Sequence, residues 1–445
     1  MSTITFFGGA REVTGACYRI ETPGKNILVD CGLMQARENE RDANHAPFGF
    51  DAREIDALFV THAHLDHIGR IPKLAREGFS GTIYSTAATR DLARPLLEDA
   101  LAVAEHEREE PLYDERDIEK TFTLWQEIDY RAPREEYGVR FQLRDAGHIL
   151  GSSMVELWVE GKHLLFTGDL GNVPSELVPP PDSVDAADYL IIESTYGSRT
   201  HEAPAEREIQ LERAVEDIAF RKGTLLIPAF ATERTQDILH LLNEMLHFKR
   251  IPEMPVFVDS PLAIRITEVF EKYPALYNQE IQKLLFEHPD LFQFRRLKFT
   301  KSVEESKHIN DIPGPKVVIA GSGMMTGGRI LHHAKRYLPD AKSILLIIGY
   351  QASGSLGRRL VEKEKSVRIF KEAIPVEAEI RKIGGFSAHA DNPQLFSFVE
   401  NMRESLKKVF VVQGEEDQAL YLMNEVRDRQ GIEASAPVQG EEVEI

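Results

Sequence analysis

Three histidines and an aspartate fall within residues 62–67, in the run Thr61-His62-Ala63-His64-Leu65-Asp66-His67, directly after the apolar stretch Ala57-Leu58-Phe59-Val60. Imidazole nitrogen and carboxylate oxygen are ligands for borderline divalent ions such as Zn²⁺. In an extended turn this spacing sends His62 and His64 to one side and lets Asp66 and His67 face another, so two ions can be held. The competing reading is a solvated polar loop. It gives no reason for these residue types to gather at the end of an apolar run.

A structural site closes four ligands around its ion, whereas a catalytic site keeps a position for water, so further ligands must lie elsewhere in the chain. Two candidates sit at expected strand ends. His148 lies in Asp145-Ala146-Gly147-His148-Ile149-Leu150-Gly151-Ser152, after Val139-Arg140-Phe141-Gln142-Leu143, and Asp169 follows Leu164-Leu165-Phe166-Thr167-Gly168. Asp30 closes Asn26-Ile27-Leu28-Val29 and is suited to holding a ligand histidine or the attacking water from behind the ligands. Taken singly, each of these three also reads as a capping or turn residue. Together they complete a metal set.

The elements that position these residues follow from hydrophobic patterning. The first two hundred residues are rich in short strands. From about Ala203 the rhythm becomes regular: helix Glu206–Phe220, strand Thr224–Ile227, helix Glu233–Phe248, strand Val256–Asp259, helix Leu262–Tyr273, strand Lys316–Ala320, helix Gly328–Tyr337 and strand Ser343–Ile348. That alternation predicts an α/β chain with a parallel sheet and crossover helices in a second domain. A length of 445 residues suggests two or three domains. The acidic stretch Glu105 to Glu119 reads as a solvated helix surface.

The formal net charge of −19 argues against binding nucleic acid by a diffuse basic surface, though not against a narrow cleft. Two divalent ions would add about four positive charges locally. Cys17 and Cys31, the two cysteines, form no metal cluster and read as packing residues. The start lacks a signal-peptide pattern and no run approaches about 18 apolar residues, so a cytoplasmic protein with no membrane association is expected.

With these motifs in hand, the sequence resembles the metallo-β-lactamase superfamily, whose ordered motifs match Asp30, His62-x-His64-x-Asp66-His67, His148 and Asp169. The resemblance implies that His62, His64 and His148 hold one zinc and Asp66 and His67 the other, with Asp169 bridging. Further segments resemble the β-CASP branch, which acts on nucleic acids. These are Leu190-Ile191-Ile192-Glu193-Ser194-Thr195-Tyr196-Gly197 and Gly385-Phe386-Ser387-Ala388-His389-Ala390-Asp391, with intervening stretches at 228–236, 258–263 and 320–329. The fold implied is a metallo-β-lactamase αββα sandwich in two parts, residues 1–204 and 376–445. An inserted β-CASP α/β domain, a parallel sheet with flanking helices, occupies 205–375.

The activity implied is that of a zinc-dependent ribonuclease hydrolysing phosphodiester bonds of single-stranded RNA by metal-bound hydroxide. It would cut internally, with a 5′-to-3′ exonucleolytic mode open to the same site. Two metals about 3.5–4 Å apart can generate the nucleophile and neutralise a phosphoryl oxygen, which leaves the departing alkoxide in need of a proton. His389 is the expected general acid and Glu193 its partner, with Asp66 and Asp30 completing the catalytic group. Arg234, Ser387 and Arg329 are candidates for contact with the RNA. The glycine-rich segment 321–328 reads equally as a phosphate-receiving loop or a tight turn. The pair Arg358-Arg359 reads equally as an ordinary helix face.

The pattern breaks at one place. Where β-CASP enzymes commonly end a late strand in Val-His-Gly-Glu, with the histidine completing the second metal site, this chain has Val411-Val412-Gln413-Gly414-Glu415. An amide oxygen is a poorer zinc ligand than imidazole, so the second site is expected to be weakened and Mn²⁺ to compete there. The alternatives are a small-molecule metallohydrolase of the thioesterase or lactonase type and a non-catalytic RNA-binding paralogue. Homodimerisation is expected by analogy alone.

Overall fold

The computed structural model describes residues 2–35, 40–202, 204–349, 351, 354–384 and 386–445, so Gly385 of the late motif lies outside the described residues. The chain divides into two compact units, residues 1–200 with 388–445, and residues 201–387.

The first unit is built from two seven-stranded sheets. One runs in the order Glu442–Glu444, Thr3–Gly8, Cys17–Thr22, Lys25–Val29, Ala57–Phe59, Thr82–Ser85, Trp125–Glu127. The other runs Glu433–Ser435, Lys408–Val412, Tyr189–Glu193, Lys162–Phe166, Ser153–Val159, Val139–Asp145, Arg134–Glu136. Side chains alternate across a strand, so Ile27, Val29 and Phe59 of the first sheet face Phe141, Leu157 and Phe166 of the second across a common core. Aromatic pairs lock the two together: Phe59 and Phe141 have ring centroids 4.8 Å apart, and Phe6 and Phe410 5.4 Å.

The alternate residues Leu28, Leu58 and Ile83 are also fully buried, so the outer face of the first sheet is covered as well. Helices Ile71–Arg76, Ala87–Glu107 and Glu115–Thr123 pack on that side of the unit. On the second sheet, Leu165, Leu190, Ile192, Val409 and Val411 join Leu395 and Val399 of helix Asn392–Asn401 and Leu422 of helix Glu416–Glu425. The result is the four-layer αββα sandwich. Cys17 and Cys31 are free thiols buried within it.

The second unit holds a six-stranded sheet in the order Leu297–Phe299, Val256–Val258, Lys316–Ala320, Thr224–Pro228, Ile344–Ile347, Glu379–Lys382, every pairing parallel. Central strands such as Lys316–Ala320 are buried on both faces and show the continuous apolar runs that such strands require. The two edge strands differ. Leu297–Phe299 and Glu379–Lys382 carry Lys298, Glu379, Arg381 and Lys382, and an edge needs no continuous apolar run, so patterning alone passes over them. Because Glu379–Lys382 pairs with Ile344–Ile347, the return to the sandwich expected at 376 falls inside the second unit, which extends to Ser387. Among the described residues, no helix is long and apolar enough to cross a membrane.

Phe410, fully buried between the sheets, should cost about 3–5 kcal/mol of stability when replaced by alanine, read from the denaturant midpoint of unfolding. Tyr421→Ala, at a side chain 50% exposed, should change it by less than about 0.5 kcal/mol.

Candidate metal centre

Every candidate ligand of the first unit stands at or just beyond the end of a strand. Asp30 follows Lys25–Val29, residues 61–67 follow Ala57–Phe59, His148 follows Val139–Asp145, Asp169 follows Lys162–Phe166, Glu193 ends Tyr189–Glu193 and Gln413 follows Lys408–Val412. Parallel pairing of Val29 with Phe59 sets Asp30 beside the histidine run.

There the Asp30 carboxylate is fully used: Oδ1 accepts from the Thr61 backbone N–H at 2.8 Å, and Oδ2 accepts from Thr61 Oγ1 at 2.8 Å and His67 Nδ1 at 2.7 Å. Asp30 is fully buried. It therefore holds the His67 ring and its Nδ1–H tautomer from behind. Thr61, passed over as a functional residue although it heads the motif, is the hub of this arrangement. Its Oγ1 also lies 3.1 Å from His62 Nδ1 and 3.2 Å from His67 Nδ1.

Four donors converge in front: His62, His64, His148 and Asp169 have ligand atoms all within 4.8 Å of one another. His62 Nε2 to His64 Nδ1 is 2.9 Å, and His148 Nε2 to His64 Nδ1 is 3.3 Å. Asp169 Oδ2 lies 3.4 Å from both His62 Nε2 and His148 Nε2. Zinc bonds of about 2.0–2.2 Å in a tetrahedron place ligand atoms about 3.3–3.5 Å apart, so this donor set fits one such ion. Burial pushes His62 and His148 well below the usual imidazole range, which keeps their lone pairs available. Buried lone pairs turned on one another repel without a cation between them. The residues fit a divalent metal.

The second expected set is looser. His67 Nε2 is 3.4 Å from Asp169 Oδ1 but 4.0 Å from Asp66 Oδ2, and among the described residues neither Asp66 nor His67 belongs to a convergent donor group. Gln413 Nε2 lies 2.8 Å from His67 Nε2 and 3.0 Å from Asp169 Oδ1. Burial disfavours a charged His67, but the carboxylates of Asp169 and Asp30 outweigh it and hold the ring well above the usual imidazole range. The contact of the Gln413 N–H with Nε2 is made only when that nitrogen carries no proton.

Beside the donors, His389 Nδ1 is 3.1 Å from Glu193 Oε2, 3.2 Å from Glu193 Oε1 and 3.8 Å from Asp169 Oδ2. Burial opposes a proton on His389, but the carboxylates of Glu193 and Asp169 more than offset it and hold its pKa at about 9. Glu193, itself pushed upward by burial against the pull of His389, accepts a further hydrogen bond from the Leu170 N–H at 2.7 Å.

The residues expected to touch substrate are placed differently. Arg234 Nη1 pairs with Asp237 at 2.5 Å, and Arg329 donates to Asp259 at 2.6 Å and to the carbonyls of Thr300 and Lys301. Both guanidinium groups serve internal partners, and a buried carboxylate such as Asp237 or Asp259 requires one. Ser387 is half-buried and ends the second unit. In the glycine-rich segment, Ser322 takes up the N–H groups of Met325, Thr326 and Gly327, which makes this a self-closed turn rather than a phosphate cradle.

The sandwich and its histidine–aspartate donor set define a metallohydrolase of the metallo-β-lactamase type. Residues 10–197 match the family model for the metallo-beta-lactamase superfamily, 235–360 that for the Beta-Casp domain, and 373–437 that for the Zn-dependent metallo-hydrolase RNA specificity domain. The chain is 39% identical over 416 residues to Ribonuclease TTHA0252 of Thermus thermophilus, covering 94% of each. It is 34% identical over 436 residues to Transcription termination factor FttA of Methanocaldococcus jannaschii, covering 95% of this chain and 68% of that one. A solved structure, a protein of unknown function from Enterococcus faecalis V583, shares the fold with a TM-score of 0.59 at 13% identity over 99% of each chain. The chain belongs to the β-CASP ribonuclease branch of the metallo-β-lactamase superfamily.

Stripping the protein with a chelator should lower its melting temperature by several degrees, and added Zn²⁺ should restore it, because the ion binds the folded donor set. His62→Ala should abolish the metal-dependent increment in thermal unfolding.

Proposed function

We propose that this chain is a zinc-dependent ribonuclease that hydrolyses single-stranded RNA, cutting internally and leaving 3′-hydroxyl and 5′-phosphate ends. The observation that carries the reading is the His389–Glu193 pair, 3.1 Å apart and 3.8 Å from the ligand candidate Asp169. When bound, divalent metal provides a nucleophile from water at neutral pH and offsets the charge of the phosphoryl group. The protein itself must then protonate the leaving alkoxide. With Nδ1 of His389 engaged by Glu193, Nε2 is the nitrogen from which that proton passes. Glu193 keeps the ring charged and oriented, and the Leu170 N–H keeps Glu193 in place.

A thiolate leaves a thioester without a proton donor beside the metal donors, and the near full-length similarity to a protein named a ribonuclease also favours RNA. With a net charge of −19, divalent metal would supply local positive charge for the phosphate that the diffuse protein surface does not. Mn²⁺ is a second ion the oxygen and nitrogen donors accept. Cleavage of circular as well as linear RNA distinguishes internal cutting from a 5′-to-3′ exonuclease.

With 5′-labelled single-stranded RNA, His389→Ala should lower the single-turnover cleavage rate by about 10²–10⁴-fold while leaving metal content unchanged. Wild-type cleavage by that variant would sink the assignment. Glu193 holds the His389 pKa up, so Glu193→Gln lets the ring lose its proton at lower pH. The alkaline limb of the rate profile should shift downward in that variant, and an unmoved limb would count against the pairing.

A further inference from the structure

We infer that the side-chain amide of Gln413 takes the place of a second metal ion, so that this chain holds a single ion at His62, His64, His148 and Asp169. The inference rests on the metal-site reading above and concerns only what occupies the neighbouring position. One atom, Gln413 Nε2, sits 2.8 Å from His67 Nε2 and 3.0 Å from Asp169 Oδ1, and an amide nitrogen carries two N–H groups. Each proton has one lone pair to meet. The reverse orientation would press the amide oxygen against the Asp169 carboxylate oxygen, acceptor against acceptor, so the hydrogen-bond network fixes which end faces inward.

The lone pairs used in this way are the ones a second ion would require. On the neutral ring, the form any metal ligand requires, Asp30 Oδ2 holds the Nδ1 proton of His67 at 2.7 Å and Nε2 is the one acceptor, which Gln413 occupies. Asp169 Oδ1, the oxygen turned away from the first donor set, is occupied by the same amide. An amide nitrogen cannot itself serve as a ligand, because its electron pair is delocalised into the carbonyl. The third expected donor, Asp66 Oδ2, is 4.0 Å from His67 Nε2 and, among the described residues, outside any convergent group.

Gln413 is also anchored. It is 2% exposed, its N–H donates to the Gly9 carbonyl at 2.7 Å, and its carbonyl accepts from the Ser194 N–H and from Thr195 Oγ1, each at 3.1 Å. Its backbone is left-handed, with φ of 43°. A Cβ added to Gly9 would meet the Gln413 Cγ at 3.1 Å, which shows how little room the side chain has to swing aside. The amide therefore gives Asp169 Oδ1 the hydrogen-bond compensation that burial demands and leaves Oδ2 aimed at the first donor set.

The test is metal content per chain, by mass spectrometry of the whole protein after equilibration with excess Zn²⁺ and, separately, Mn²⁺, with free ion removed. Wild type should carry one ion, and Asp66→Asn should carry the same one. Gln413→His, checked for native circular dichroism, should double the content. Two ions in the wild type, a loss of ion in Asp66→Asn, or a folded Gln413→His that stays at one would each overturn the inference. A wild type that binds no ion at all would instead overturn the metal reading beneath it.

Discussion

A carboxylate that is 3% exposed holds this site together. Asp169 is deprived of water, and an ionised group so buried is tolerated only if its oxygens are met by cations or donors. Its two oxygens divide that need. Oδ2 faces His62 and His148, each at 3.4 Å, where a divalent ion fits, and Oδ1 accepts from the Gln413 amide at 3.0 Å. Reaching this position depends on Gly168, with φ of +54°, where a Cβ would come within 2.6 Å of the Thr61 side chain. Only glycine lets the strand end pass so close to the histidine run, so a backbone constraint precedes the chemistry.

The same carboxylate lies between the histidine donor set and His389. Ala390 N donates to the Leu170 carbonyl at 2.7 Å, and Asn172 N donates to Ala388 O at 2.7 Å, so His389 is stitched across the loop that follows Asp169. The N–H of Leu170 meanwhile holds Glu193. A short piece of backbone thus aligns His389, Glu193 and Asp169. The segment carrying His389 follows the whole second unit in sequence, so the site is completed only when the chain returns to the first sandwich.

Much of this was legible in the residues themselves. A strand that ends in metal-ligating side chains announces both its strand and its site, because the apolar run and the polar cluster abut, as at 57–67. The parallel strands Thr224–Pro228 and Lys316–Ala320 were equally readable, being apolar along their length. What stayed hidden depended on contacts distant in sequence. Arg329 announces a cation but not that Asp259, seventy positions earlier, will claim it. Arg234 has Asp237 at helical i, i+3 spacing, a cue that periodicity did offer. Gln413 shows as a departure from the family pattern, yet sequence cannot say which end of its amide faces inward. That is decided by Asp169 Oδ1 and His67 Nε2, the two atoms the amide meets.

The account stands most directly on where metal scatters in a crystal of the zinc-loaded protein, recorded at the zinc absorption edge. It predicts a single anomalous peak bounded by His62, His64, His148 and Asp169, with the Gln413 amide seated against His67. No peak within those four residues, or a second peak of equal height between Asp66 and His67, would contradict it.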